Sequence, residues 1–186
     1  MEQLLERIAK NSDQLAFGQL FSYYSDRLIY FATALVRSRE EAEEVVADVF
    51  VKLWQQRARL LDIHYFQTYL YTAVRNTALN HTSRSVIPYE ELEDQHATLM
   101  PCVVSPEESL ISRENLRQIE QAVNELPLRC RLIFKLVKED GLSYREVAEV
   151  LDISINTVNA QITIALKKLG SAIDLRKPFR LPLARK

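Results

Sequence analysis

The stretch "SYREVAEVLDISINTVNAQITIALKKLG", Ser143 to Gly170, decides how the chain is read. Leu142, Val147, Ala148 and Leu151 recur at helical spacing. Ser143 and Glu146 form the S-x-x-E pattern in which each side chain satisfies a free backbone N–H of the other. Ile153 plugs a short turn, and Ser154 stands where a second helix needs its N-cap. Ile155, Val158, Ile162, Ala165 and Leu169 then form an inward stripe. The segment reads as helix, tight turn, helix. Its second helix turns Asn156, Thr157, Asn159, Ala160, Gln161, Thr163 and Lys167 outward. Asn and Gln can hold adenine bidentately in the major groove, and Thr and Ala can touch a thymine methyl. Lys167, Lys168, Arg145, Arg129 and Arg131 are the nearby charges for phosphate. A packing hairpin with a solvated polar face carries the same spacing, so the pattern alone leaves both readings open.

The charge distribution favours the DNA reading. The 186 residues carry a formal net charge of −1, but the balance is uneven along the chain. Residues 1–84 hold ten basic and ten acidic side chains, residues 85–125 two and nine, and residues 126–186 twelve and six. A basic C-terminal part inside a neutral total suggests contact with nucleic acid at that end. Cys102 and Cys130 lack metal-ligand or CxxC spacing and read as ordinary thiols of a reducing compartment. The first residues, MEQLLERIAKNSD, lack the pattern of a secretion signal, and no long apolar run marks a membrane span. The expected location is cytoplasmic.

Strand-like alternation is nearly absent, so the fold is expected to be all-α. Helices are expected near 2–10, 13–36, 39–57, 64–82, 106–125, 127–139, 144–151 and 155–170, with further capping boxes at Ser38 and Ser105. The stretch from Arg84 to Pro106 holds three prolines and an acidic cluster, Glu90, Glu91, Glu93 and Asp94. A structureless loop of that length is unusual inside one compact domain. The expected organisation is therefore two small helical domains, 1–84 and 106–172, joined by an acidic linker at 85–105 and followed by a basic tail at 173–186.

Two helices of the first domain carry further patterns. In SREEAEEVVADVFVKLWQQ, Ala42, Val45, Val46, Val49 and Leu53 read as buried, while Glu41, Glu44, Asp48 and Lys52 align as a charged stripe. Such a stripe is either a solvated face or a docking surface. In HYFQTYLYTAVRNTALNHTSR, Phe66, Tyr69, Leu70, Ala73, Val74 and Leu79 read as core. Tyr65, Tyr71, Arg75, Asn76, Asn80, His81 and Arg84 remain, and aromatics beside Arg and Asn suit unstacked bases. Core aromatics with wet tips give the same pattern. No nucleophile motif, glycine-rich phosphate loop or metal-ligand cluster stands out, so neither an enzyme nor a cofactor is expected.

Three blocks together resemble the extracytoplasmic-function (ECF) sigma factors of bacterial RNA polymerase, the compact branch of the sigma-70 family. They are FGQLFSYYSDRLIYFATALVRSREEAEEVVADVFVKLWQQ, YFQTYLYTAVRNTALNHTSR and ELPLRCRLIFKLVKEDGLSYREVAEVLDISINTVNAQITIALKKL. The resemblance implies a sigma region 2 formed by the first two blocks and a region 4 formed by the third. It implies docking of the EEVVADVF helix on the β′ clamp helices of core polymerase through Glu44 and Asp48. Lys52 belongs to the same stripe, and Leu53 and Trp54 support it. It implies capture of the −10 promoter element by the following helix, assigned here to Tyr71, Arg75, Asn76, Asn80, His81 and Arg84. It implies reading of the −35 element by region 4, seated on the β flap, through Arg145, Ser154, Asn156, Thr157, Asn159, Ala160, Gln161, Thr163 and Lys167. Family members are often held by an anti-sigma partner; the resemblance implies no small-molecule substrate. The sequence departs from the family at Ala47, usually Gln, and at Asn159, Gln161, Ile164 and Leu166, typically basic.

Two other classes fit parts of the chain. A response-regulator-type activator shares the GLS…EVAEVL…ISINTV cadence but needs a receiver domain, and residues 1–84 lack its alternation of strand and helix. A helical adaptor fits the composition and predicts neither a DNA effect nor polymerase binding.

Overall fold

A computed structural model of the protein describes residues 1–36, 38–81 and 119–172. The acidic linker at 85–105, the cap at Ser105, Arg84 and the basic tail at 173–186 lie outside the described residues. All regular structure among the described residues is helical.

The N-terminal unit is built from α1 (Glu2–Asn11), α2 (Gln14–Val36), α3 (Arg39–Gln55), a 3-10 segment (Arg57–Asp62) and α4 (Phe66–His81). Ser12, in the left-handed conformation, ends α1 by returning its N–H to the Ile8 carbonyl. Asp13 then starts α2, its side chain accepting from Ala16 N. Ser38 caps α3 through Glu41 N, but the reciprocal bond of a full capping box is absent; the Ser38 hydroxyl donates to Glu40 instead. The 3-10 segment was not foreseen. It places Leu60 in the core against α1. Helices α2, α3 and α4 pack on one another, and Phe31 meets the Tyr71 ring edge-on at 5.1 Å between centroids.

The C-terminal unit comprises helical residues 119–124 (α5), α6 (Leu128–Lys138), α7 (Tyr144–Leu151) and α8 (Ile155–Ala172). The capping box of α7 is complete: Ser143 Oγ accepts from Glu146 N, and Glu146 accepts from Ser143 N at 2.8 Å. Asp152 in the left-handed conformation ends α7, and Ser154 Oγ accepts from Thr157 N at 3.0 Å to open α8. Val158, Ile162, Ala165 and Leu169 are buried as their spacing requires, and α8 packs on α6 and α7.

The two units are in contact. One apolar cluster runs from Leu5 and Ile8 through α2, α3 and α4 into Leu132, Ile133, Leu136 and Val147. Helix α7 lies against α4 and α6 touches α2, while Ala122, Val123, Leu126, Cys130, Ala165 and Leu169 form a second, smaller cluster within the C-terminal unit.

Candidate nucleic-acid interface and docking surface

Helix α3 presents one buried and one open side. Glu41, Glu44, Asp48 and Lys52 are all exposed, as their spacing predicts. Beside them lies an apolar groove of about 520 Å³ lined by Phe17 and Phe21 of α2 and Ala47, Phe50, Val51 and Trp54 of α3. Its aromatic floor is tightly joined: Phe17 stands 4.9 Å from Trp54, and Phe21 stands 4.9 Å from Phe50, between ring centroids. The Arg57 guanidinium covers the Trp54 ring at 4.7 Å and donates to the Trp54 carbonyl. The charged stripe and the groove share one helix, so they form one amphipathic surface. The sequence reading had Trp54 but missed Phe17 and Phe21, because their rings come from another helix. Leu53, expected to support the docking surface, is 3% exposed and packs in the core.

Helix α4 carries its candidate residues on three sides. Asn76 and Asn80 are exposed. His81 turns toward α3, where its Nε2 lies 3.0 Å from Asp48 Oδ2. Arg75 is half-buried and reaches Asp152 of the C-terminal unit at 3.3 Å. Tyr71 corrects the sequence reading: it is 0% exposed, because its ring packs on Phe31 and its hydroxyl end is covered by Asp140. Burial beside that carboxylate pushes the Tyr71 hydroxyl well above its ordinary pKa. Tyr69 and Leu79, expected in the core, are exposed instead.

Helix α8 exposes Asn156, Asn159, Ala160, Thr163 and Lys167 along one side, and Arg145 of α7 is exposed nearby in sequence. Thr157 is half-buried against the Ser154 hydroxyl, 2.8 Å away. Thr163 spends its hydroxyl on the Asn159 carbonyl and leaves its methyl as the apolar part. Gln161 is half-buried, with its side-chain oxygen accepting from Cys130 Sγ at 2.7 Å. Arg131, one of the charges expected near phosphate, is 5% exposed and donates to the Asn124 carbonyl at 2.7 Å. Ile155, expected inside, is the first residue of α8 and is 49% exposed.

Among the described residues no cluster of His, Cys, Asp and Glu could hold a metal ion, and no helix is long and apolar enough to cross a membrane. The model of sigma-70 region 2 matches residues 20–85, and that of sigma-70 region 4 matches residues 116–169. The two matches fall in the family's order on the two units described above. The chain belongs to the sigma-70 family. This is a family of sigma factors, which are not enzymes.

The sigma chain is similar over nearly its whole length to factors of the ECF branch and their relatives. It is 28% identical to the RNA polymerase sigma-H factor of Pseudomonas aeruginosa over 183 residues, covering 93% of each chain. It is 29% identical to the ECF RNA polymerase sigma-E factor of Haemophilus influenzae, covering 93% of this chain and 95% of that one. The sigma-E factor of Escherichia coli K12 is 26% identical. Two solved structures share the fold. CnrH, in complex with the cytosolic domain of CnrY, gives a TM-score of 0.50 at 22% identity over 91% of this chain and 94% of its own. The sigma factor RpoE of Bartonella quintana, in complex with the anti-sigma factor NepR, gives 0.51 at 21% identity over 87% and 98%.

Proposed function

We propose that this sigma factor directs core RNA polymerase to specific promoters from the cytoplasm, holding the enzyme through α3 and the promoter through α4 and α8. The observation that carries this reading is the pairing of two surfaces on one chain: the stripe and groove of α3, and the capped helix-turn-helix with an amide-rich face. Glu44, Asp48 and Lys52 would meet charges on the β′ clamp helices, with Trp54 in the apolar groove beside them. Arg75, Asn76, Asn80 and His81 would hold the −10 element. Asn156, Asn159, Ala160 and Thr163 would read −35 base edges, with Lys167 and Arg145 on phosphate. An amide-rich face suffices for a factor tethered to polymerase, because two weak promoter contacts gain through effective concentration. An anti-sigma protein is the proposed regulator, in keeping with the complex of the Bartonella quintana sigma factor with the anti-sigma factor NepR.

The test is transcription by purified core polymerase from a pool of random promoter fragments, with sequencing of RNA 5′ ends. Starts that appear only with this protein, with shared upstream bases, support the assignment. Absence of both starts and core binding would return the chain to the DNA-binding or adaptor classes.

A further inference from the structure

The exposed side of α8 carries Asn156, Asn159, Ala160 and Thr163 over its first three turns. The fold has already used several polar groups of this helix. The Gln161 oxygen accepts from Cys130 Sγ at 2.7 Å, and the Thr163 hydroxyl donates to the Asn159 carbonyl at 2.8 Å. Thr157 shares a hydrogen bond with the Ser154 hydroxyl. Two amide side chains, those of Asn156 and Asn159, and two methyls, those of Ala160 and Thr163, are left to meet a partner. Ile164 and Leu166 beside them are 41% and 52% exposed, so the flanks are apolar as well. Helix α8 holds no arginine, and its first cation, Lys167, lies about three turns from its start.

We propose, on the assignment of α8 to the −35 element, that this element consists of A·T pairs at the positions the helix touches and is read through thymine methyls as well as through hydrogen bonds. Guanine shows two acceptors, N7 and O6, on its major-groove edge, and holding both takes a side chain with two donors, Arg or Lys. The first three turns of α8 have neither, and the N-terminal part of a recognition helix is the part that meets base edges. Adenine shows a donor beside an acceptor, which an Asn amide complements. The thymine paired with it places a C5 methyl in the same groove, where Ala160 and the Thr163 methyl offer apolar contact. Gln161 is withdrawn from this set, because its oxygen is engaged by Cys130 and cannot accept from adenine at the same time. Lys167 and the exposed Arg145 of α7 then serve the DNA backbone, where charge fixes register and carries no sequence information.

The experiment uses holoenzyme assembled from core polymerase and the full chain, which first selects promoters from a random pool. The positions read by α8 are those whose base preference changes with Asn159→Ala, Ala160→Gly or Thr163→Ser, each variant checked by its melting curve. A selected promoter is then rebuilt with deoxyuridine in place of thymidine at those positions, a change that removes only the C5 methyl. Each methyl lost is expected to weaken holoenzyme binding about fourfold, the worth of one buried carbon. Thr163→Ser keeps a hydroxyl for the Asn159 carbonyl and lacks the methyl, so it should bind the thymine and uracil probes equally at the position it reads. Ala160→Gly should do the same at its own position. Guanine at the positions read, equal binding of the two probes by wild type, or no base preference altered by the three variants overturns the proposal. Specific RNA starts in the same experiment leave the sigma function standing in each of these cases. Loss of both starts and core binding removes the function and the proposal with it.

Discussion

Thr68 and Glu146 are joined across the two units: Thr68 Oγ1 donates to Glu146 Oε1 at 2.9 Å while Glu146 Oε2 accepts from Ser143 N at 2.8 Å. One carboxylate therefore caps α7 and holds it against α4. These bonds keep the Glu146 carboxyl below its ordinary pKa of 4.5, the Ser143 bonds contributing most. A carboxylate with a lowered folded-state pKa stabilises fully above the unfolded value, and the stabilisation is lost as pH falls through the folded value. Glu146→Ala is expected to cost about 1–2 kcal/mol at neutral pH, the usual worth of a cap with one further bond. Thermal unfolding of wild type and variant across pH checks this. The difference between their curves should be constant above pH 4.5 and shrink progressively below it. Asp140, raised by burial, titrates in both proteins and cancels from the comparison.

The docking surface predicts two kinds of loss. Glu44 and Asp48 are exposed, so Glu44→Lys and Asp48→Lys should leave the melting temperature nearly unchanged. Each should weaken core polymerase binding by about tenfold, which is ~1.4 kcal/mol. Trp54→Ala removes an aromatic at the edge of the groove and should cost about 2 kcal/mol of binding, typical of a buried anchor. Titration of labelled core polymerase measures all three. Unchanged affinity in the Lys variants would remove the stripe from the interface.

The sequence made the helices legible because each carries its own start signal and stripe. Helix α7 ran from Tyr144 to Leu151 as expected, since Ser143 and Glu146 mark its start and Asp152 ends it in the left-handed conformation. What escaped was burial decided by another helix. Tyr71 looked like a polar-tipped aromatic on a free face, and only the fold shows Phe31 beneath it and Asp140 above it. Arg131 looked like a phosphate ligand, yet the end of α5 supplies the Asn124 carbonyl that lets a guanidinium sit inside. Leu79 and Ile155 failed in the opposite direction: both are apolar and exposed, although Ala78 beside the first and Val158 one turn on from the second are fully buried. Phe17 and Phe21 entered the candidate site only through space, because periodicity describes one helix at a time.

The helix-turn-helix predicts unequal effects from two neighbouring amides. Asn159 is exposed and free to turn toward bases, so Asn159→Ala should relax one upstream base by roughly 1–3 kcal/mol of discrimination. Gln161 is half-buried with its oxygen on Cys130, so Gln161→Ala should act mainly on stability, through loss of that bond. Selection of −35 sequences from a random library, with melting curves of both variants, separates the two roles. A base preference altered more by Gln161→Ala than by Asn159→Ala would reverse this assignment.

Two glycines predict opposite signs from equally open surroundings. A Cβ added at Gly141 or at Gly18 would meet no atom within 4 Å, so neither substitution creates a clash with its neighbours. Gly141 has φ +73° in the turn between α6 and α7, where the Asp140 and Leu142 N–H groups return to the Lys135 and Leu136 carbonyls. An L side chain in that conformation costs about 1–2 kcal/mol. Gly18 lies inside α2, where alanine gains roughly 0.5–1 kcal/mol by restricting the unfolded chain. Gly141→Ala should therefore lower the melting temperature and Gly18→Ala should raise it. Because Gly141 directly follows Asp140, its substitution should also loosen the contact with α4, seen as faster amide exchange at Gln67 and Thr68. Stabilisation by Gly141→Ala would show that the turn is held by its hydrogen bonds in a conformation that does not need glycine.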